Sequence, residues 1–183
     1  MALDLHIGDL VAAARRTAEM DAVLSLVDPG THLSARAPLH EIIEVHDFLP
    51  GEAPSDALRE DLAQQGIVLP DREHAERVVA FGREVLKRAR AGEVKLLVHC
   101  HAGISRSTAA AYAIAALELG PGREDDAAGR VQRAAPMAYP NAVLVYHADR
   151  VLGRGGKLLD AAGQAFGIVS PAARRRGPLD RLF

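Results

Sequence analysis

The segment KLLVHCHAGISRSTAAAYAIAAL, residues 95–117, joins an apolar run to an alanine-rich run through a short loop of small and polar residues. The apolar run, residues 94–99, is typical of a short buried strand. The alanine-rich run, which we place at 106–119, is typical of a helix. A buried strand that leads into a helix is characteristic of α/β folds, in which ligands bind beyond the carboxyl ends of the strands.

The rest of the chain also alternates short apolar runs with amphipathic segments. Residues 51–70 are polar and mixed, and we predict a long loop there. The alternation predicts an α/β fold with a central, mostly parallel sheet flanked by helices. We expect a single domain at 1–165 and a poorly ordered tail at 166–183. The remaining strands are predicted at 5–7, 22–27 and 42–45, and the remaining helices at 10–20, 71–92, 124–135 and 141–152.

Length, charge and cysteine content exclude several classes of protein. The chain has 183 residues, which suits one domain. Its net charge of −2 gives no reason to expect a nucleic-acid partner, since such proteins carry a strongly basic face. The one cysteine cannot form an intrachain disulfide. The sequence has no basic leader and no apolar stretch long enough to cross a membrane, so we expect a soluble, cytoplasmic protein.

The single cysteine, Cys100, lies directly after the predicted strand, between His99 and His101. The loop after it enters the amino terminus of a helix, where free N–H groups and the helix dipole favour an anion. Gly103 allows the tight curl that turns N–H groups inward. The Arg106 guanidinium can hold two oxygens of a phosphate. The same positive field favours the thiolate, so Cys100 is a candidate nucleophile toward phosphorus.

These residues resemble the signature of cysteine-dependent protein tyrosine phosphatases. The likeness consists of His99-Cys100, five residues that include Gly103, and then Arg106-Ser107. It is closest to the compact dual-specificity branch and its small bacterial relatives. SRSTAAAYAIA and YPNAVLVYHADRVLG are similar to two helices of that family, although the glycine and phenylalanine usual after the Asn are absent. AVLSLV and IIEVHD resemble two of its strands.

The resemblance implies a phosphatase that works through a phosphocysteine on Cys100, without cofactor or metal. Ser107 would help the sulfur to leave, and His99 would orient the loop from behind. The implied substrate is phosphotyrosine in a protein or peptide, with phosphoserine and phosphothreonine left open. The loop that would hold the phosphate oxygens consists of His101, Ala102, Gly103, Ile104, Ser105 and Arg106.

A phosphatase of this kind also needs a general acid for the leaving group. In the family it is an aspartate on a loop after an earlier strand, and Asp47 in EVHDFLP is in that context. The separation from Cys100 is longer than compact relatives usually have. Asp56, Asp61 and Asp71 lie in between and stay open as alternatives, although Asp71 is predicted to cap a helix. Asp28, before Pro-Gly, is predicted to begin an ordinary turn.

Three other functions are compatible with parts of the sequence. A metal site at HCH is disfavoured, because alternate strand residues face opposite sides and no further ligands are placed to complete it. A rhodanese-like sulfurtransferase usually has four residues between the cysteine and the arginine, and this chain has five. A non-catalytic phosphopeptide-binding module usually lacks the nucleophile or the acid. The glycine-rich LGRGGK at 152–157 is predicted to end a helix.

Overall fold

The computed structural model describes residues 3–33, 37–48 and 55–168. Four strands and seven helices lie in these ranges, together with one turn of 3₁₀ helix at Thr17–Glu19. The strands are β1 (Leu3–Gly8), β2 (Ala22–Val27), β3 (Leu39–Glu44) and β4 (Val94–His99). The helices are α1 (Leu10–Arg16), α2 (Asp56–Gln64), α3 (Arg72–Ala89), α4 (Arg106–Leu119), α5 (Glu124–Ala134), α6 (Ala142–Leu152) and α7 (Lys157–Phe166).

The four strands form one parallel sheet in the order β1-β4-β2-β3. β4 therefore lies inside the sheet, between β1 and β2. The register places His99 beside Gly8 on one side and beside Ser25 on the other. Because all strands are parallel, their carboxyl ends meet at the same end of the sheet. This arrangement confirms the predicted α/β fold with a parallel sheet.

Alternate residues of the central strands pack into two different cores, since successive side chains of a strand face opposite sides. Val23 and Leu97 pack with Ala13 on the side covered by α1. Leu24 and Val98 belong to the larger core beneath the other helices. Both faces of the sheet are covered, which explains why β2 and β4 are nearly continuous apolar runs.

Helix α4 lies at the centre of the larger core. Every residue from Arg106 to Ala116 is buried. Alanine at most of these positions allows α3, α5, α6 and the sheet to approach the helix closely. Tyr112 and Ile114 are bulky exceptions, and the Tyr112 hydroxyl lies within hydrogen-bond distance of two carbonyl oxygens, those of Glu124 at 3.2 Å and Leu158 at 3.1 Å. The alanine-rich sequence is thus explained by close packing as well as by helix propensity.

One prediction about secondary structure is wrong, and one helix was not predicted. Residues 56–64 form α2 rather than part of a loop, and Ser55 caps that helix by accepting from the Leu58 N–H at 3.2 Å. Its residues are mostly exposed, so the sequence carries no apolar stripe to reveal it. Helix α7 was also missed. Asp149 caps it by accepting from the Gly156 and Leu158 N–H groups, which are seven and nine residues further along the chain.

The remaining predicted elements are confirmed within a few residues at each end. Asp71 caps α3, as predicted, by accepting from the His74 N–H at 3.1 Å. LGRGGK ends α6 at Gly153, which adopts a left-handed conformation, and leads into α7. The domain boundary at 165 stays a prediction. Ile168, at the end of the described residues, is buried in the larger core, and most of the predicted tail lies outside those residues.

No helix in the described ranges is both long and apolar enough to cross a membrane.

We expect Gly82→Val to destabilise the fold by about 2 kcal/mol, because it overpacks the contact between α3 and α4. A Cβ at Gly82 would lie 3.0 Å from Ile114 Cγ1 and 3.3 Å from Leu117 Cδ2. The matched control is Gly129→Val in α5, where a Cβ would meet only the flexible Arg133 side chain, at 3.4 Å. Urea denaturation of both variants measures the effect. Equal free energies of unfolding would contradict the packing argument.

Candidate active site

The candidate site lies at the carboxyl end of the sheet, where residues that follow three strands meet. Cys100 follows β4, Asp28 follows β2, and Asp47 lies three residues beyond β3. Residues 100–105, here called the Cys100 loop, connect β4 to α4. The position agrees with the general rule for ligand sites in open α/β sheets.

Carbonyl groups of the Cys100 loop are bonded to the surrounding scaffold. His101 O accepts from Leu10 N at 3.3 Å, Ile104 O from Tyr139 N at 3.0 Å, and Ser105 O from Asn141 N at 3.2 Å. Within the part of the chain that the structure describes, the N–H groups of residues 101–106 have no acceptor. A curled loop with bonded carbonyls and available N–H groups at a helix amino terminus is suited to binding an anion.

Gly103 makes the curl possible. Its φ of +72° is in the left-handed region, which strains other residues. The loop also passes close to the end of β1. A Cβ at Gly103 would lie 2.9 Å from the Gly8 carbonyl carbon and 3.0 Å from its oxygen. Both the backbone conformation and the close approach therefore require glycine.

The thiol of Cys100 lies at the base of this loop. The residue is buried, with 1% of its surface exposed, and its Sγ is 3.2 Å from Ser107 Oγ. Ser107 is in the first turn of α4 and is fully buried. At this distance the Ser107 hydroxyl can donate a hydrogen bond to the Cys100 sulfur when the sulfur is an anion.

The Arg106 side chain is only 4% exposed and lies among acceptors from two other strands' ends. Its Nη1 donates to Asp28 Oδ1 at 2.6 Å and to Val45 O at 2.7 Å, and its Nη2 donates to His101 Nδ1 at 3.1 Å. Its Nε is buried and has no hydrogen-bond partner in the described chain. Burying a guanidinium is costly unless it is paired, and here Asp28 supplies the pairing charge.

Asp47 contacts the Cys100 loop directly. Its Oδ1 accepts from Ser105 Oγ at 2.7 Å and from Asn141 Nδ2 at 3.1 Å, and its Oδ2 lies 4.0 Å from Arg106 Nε. Asn141 is fully buried and also caps α6, since its Oδ1 accepts from the Val143 and Leu144 N–H groups. One asparagine therefore ties together α6, the Cys100 loop and the segment that carries Asp47.

The alternative aspartates have other surroundings. Asp61 lies in the exposed helix α2 and accepts from Gln65 Nε2 at 2.9 Å. Asp71 is occupied with capping α3 and with the His74 ring at 2.6 Å. Asp56 is the first residue of α2. Of the four candidates, Asp47 has described contacts with the loop, although its role as the acid stays a prediction.

His99 lies behind the loop, on the α1 side of the sheet. Its Nε2 is 2.6 Å from Ser25 Oγ on the neighbouring strand, and only 1% of its surface is exposed. Burial lowers the pKa of His99 from its ordinary 6.5 to about 4, so the ring is neutral at pH 7.

Among the described residues, no group of three or more His, Cys, Asp or Glu side chains could hold a metal ion.

Sequence reasoning missed three residues that shape the site. Asp28 does form a turn, with its carbonyl accepting from Thr31 N at 3.1 Å, but its carboxylate also pairs with Arg106. Asn141 was recognised only as part of a Pro-Asn pair before a helix. Ser25 is the one polar residue of β2, and the sequence analysis did not single it out. A polar residue within a fully buried strand was the signal that it has a partner.

Comparison with known proteins supports the fold assignment. No protein-family model and no curated protein matches the sequence. Human DUSP28 has a TM-score of 0.56 and 18% identity, with 81% of this chain and 88% of that chain covered. The Yvh1 phosphatase domain from Chaetomium thermophilum has a TM-score of 0.55 and 21% identity, with 84% of this chain and 93% of that chain covered. Tk-PTP in its active form has a TM-score of 0.54 and 20% identity, with 84% of this chain and 93% of that chain covered. The chain thus has the fold of dual-specificity and tyrosine phosphatases, as the resemblance predicted.

We expect Gly103→Ala to destabilise the protein by about 2 kcal/mol or more, since it combines a left-handed backbone with a clash against Gly8. Gly30→Ala is the matched control. Gly30 has a similar φ of +78°, but a Cβ there meets nothing within 4 Å. Thermal denaturation should show a larger loss for Gly103→Ala. A loss no greater than that of the control would contradict the close approach.

We also expect burial of His99 to make stability depend on pH. In the unfolded chain the His99 ring binds a proton below about pH 6.5. In the folded protein the ring binds this proton only below about pH 4. The contribution of the neutral His99 ring to the free energy of unfolding is therefore fully present above pH 6.5. It is lost as the pH falls toward 4, by about 3 kcal/mol in total. Urea denaturation at pH 7 and 4.5 should show a smaller loss for His99→Gln than for wild type. Parallel losses in the two proteins would be the contrary result.

Proposed function

We propose that this chain, which has the fold of dual-specificity and tyrosine phosphatases, is a cysteine-dependent phosphatase that hydrolyses phosphate monoesters in proteins. One observation carries the proposal. The Cys100 thiol lies at the base of a loop in which the N–H groups of residues 101–106 have no acceptor among the described residues, and it lies near a buried arginine whose Nε has no hydrogen-bond partner there. Such a loop can bind a phosphate dianion against the thiol.

In the first step the Cys100 thiolate attacks phosphorus. A P–S bond forms while the bond from phosphorus to the substrate oxygen breaks, and the electron pair of that bond stays on the oxygen. Asp47 donates the proton that neutralises the leaving oxygen. The loop N–H groups and Arg106 hold the other phosphate oxygens as negative charge is redistributed.

In the second step water hydrolyses the phosphocysteine. Asp47, now ionised, takes a proton from the water molecule while the water oxygen attacks phosphorus. The P–S bond breaks, the electron pair returns to sulfur, and inorganic phosphate is released. The Ser107 hydroxyl, 3.2 Å from Cys100 Sγ, donates to the departing thiolate.

Phosphotyrosine in proteins is the substrate class that we favour, with phosphoserine and phosphothreonine left open. The loop between Cys100 and Arg106 contains no lysine or arginine, which argues against a polyanionic substrate such as an inositol lipid. The Tyr139 N–H donates to Ile104 O at 3.0 Å, so the backbone of the segment that carries Tyr139 and Met137 passes next to the loop. Tyr139 and Met137 are 44% and 78% exposed and offer a surface for an aromatic ring or a peptide.

The test is hydrolysis of para-nitrophenyl phosphate and of a phosphotyrosine peptide at mildly acidic pH. We expect no turnover with Cys100→Ser, because the nucleophile is removed. We expect Asp47→Asn to lower kcat about 100-fold, the lower range for loss of a general acid. Asp125→Asn, at an exposed position in the first turn of α5, is the matched control and should retain wild-type kcat.

Two results would change the assignment. Near wild-type kcat with Asp47→Asn would move the acid to Asp56, Asp61 or Asp71, each of which can be replaced by Asn in the same assay. A wild-type protein inactive on both substrates would contradict the phosphatase proposal. Thiosulfate turnover with cyanide and phosphopeptide binding would then distinguish a sulfurtransferase from a binding module.

A further inference from the structure

A cavity distinct from the Cys100 loop lies between α1 and the sheet. Its volume is about 570 Å³, which is in the range of small-molecule sites and larger than a single inorganic ion requires. Among the described residues that line the cavity, none belongs to the Cys100 loop. Ala14 and Ala18, which line it from the α1 side, are exposed, so the cavity is accessible from solvent.

Three polar side chains of the sheet line the cavity, and they are bonded to one another. Ser25 Oγ lies 2.7 Å from His40 Nε2 and 2.6 Å from His99 Nε2. These contacts occupy the Ser25 hydroxyl and one ring nitrogen of each histidine. The groups that would recognise a ligand are therefore expected elsewhere in the lining.

Three other polar side chains in the lining have no partner within the part of the chain that the structure describes. Arg15 and His32 make no hydrogen bond and no ion pair there, whereas the neighbouring Arg16 is bonded to His6 at 3.2 Å. Thr17 is only 7% exposed, and its hydroxyl also lacks a hydrogen-bond partner among the described residues. Because a polar side chain so well buried is normally bonded, the missing partner of Thr17 is expected in the cavity.

The charge of the lining favours an anion. Arg15 carries a permanent positive charge, and no Asp or Glu is found among the described residues that line the cavity. An organic cation would therefore lack a counter-charge there. A guanidinium can hold both oxygens of a carboxylate, which makes a carboxylate the group that fits Arg15.

The apolar part of the lining fits the rest of such a ligand. α1 contributes Leu10, Ala13 and Ala14, and Leu33 also lines the cavity. Since alanine side chains are small, they leave room between the helix and the sheet. A flat, apolar ring can occupy this room while its carboxylate remains near Arg15.

We propose that this cavity is a binding site for a small organic anion, a carboxylate attached to an apolar ring. Arg15 supplies the charge, His32 and Thr17 supply further hydrogen-bond donors, and the alanines of α1 contact the ring. The site goes beyond the proposed phosphatase function and does not depend on it.

The first test compares two probes of the same shape, naphthoate and naphthamide, by titration calorimetry of the full chain at pH 7. Excess inorganic phosphate in the buffer competes for any anion site in the Cys100 loop. We expect naphthoate to bind with a dissociation constant below about 1 mM and about tenfold more tightly than neutral naphthamide. Absence of naphthoate binding, or equal affinities for the two probes, would overturn the proposal.

The decisive variant is Arg15→Gln, which removes the charge at an exposed position. We expect it to weaken naphthoate binding about tenfold and to leave naphthamide binding unchanged. Arg83→Gln is the matched control, because Arg83 is exposed on α3, beyond the other face of the sheet, and has no partner among the described residues. An equal loss of naphthoate affinity in both variants would overturn the role of Arg15.

The location is tested by ¹⁵N–¹H NMR spectra of the full chain and by filling the cavity. Naphthoate should shift the amide signals of α1 and of residues 31–33, whereas shifts confined to the Cys100 loop would overturn the proposal. Ala14→Phe should abolish naphthoate binding while thermal denaturation shows a folded protein, since Ala14 is exposed and lines the cavity. Unchanged naphthoate affinity in folded Ala14→Phe would also overturn it.

Discussion

The orientation of the carbonyl groups in the Cys100 loop is the constraint on which the rest of the site depends. His101, Ile104 and Ser105 each direct a carbonyl into the scaffold, where backbone N–H groups of α1 and of the segment before α6 bond to it. A peptide unit that points its carbonyl outward points its N–H the other way. The scaffold therefore creates an anion-binding concavity through backbone geometry alone. Gly103 makes the curl sterically possible beside β1.

The charged groups around the loop are held by different strands and helices. Arg106 is buried because Asp28 and the Val45 carbonyl accept from one end of its guanidinium, which offsets the cost of removing the charge from water. Asp47 is held by Ser105 and by Asn141. These contacts connect the ends of β2, β3 and β4 to α6. A change in any one of these contacts is therefore expected to alter the surroundings of the Cys100 thiol.

Local patterns predicted most of the elements that form the site. β2, β4 and α4 have the predicted bounds, because their apolar and alanine-rich runs are buried on all sides. Patterns failed where stabilisation is not local or leaves no apolar stripe. Helix α2 is exposed, and the segment after it is joined to the end of β3 by hydrogen bonds between His46 and Val68. Helix α7 depends on a cap from Asp149 in α6.

The sequence alone determined where a strand gives way to a helix through a loop with one cysteine and one arginine, since these features lie within a few consecutive residues. The family resemblance also favoured Asp47 as the general acid, and that role stays a prediction. Only the tertiary structure decided which distant residues meet this loop. The parallel register brings Ser25 beside His99, and the packing of α6 brings Asn141 to Asp47. Such contacts depend on strand order and helix packing, which no local run of residues encodes, so the partners of Arg106 and His99 emerged only from the fold.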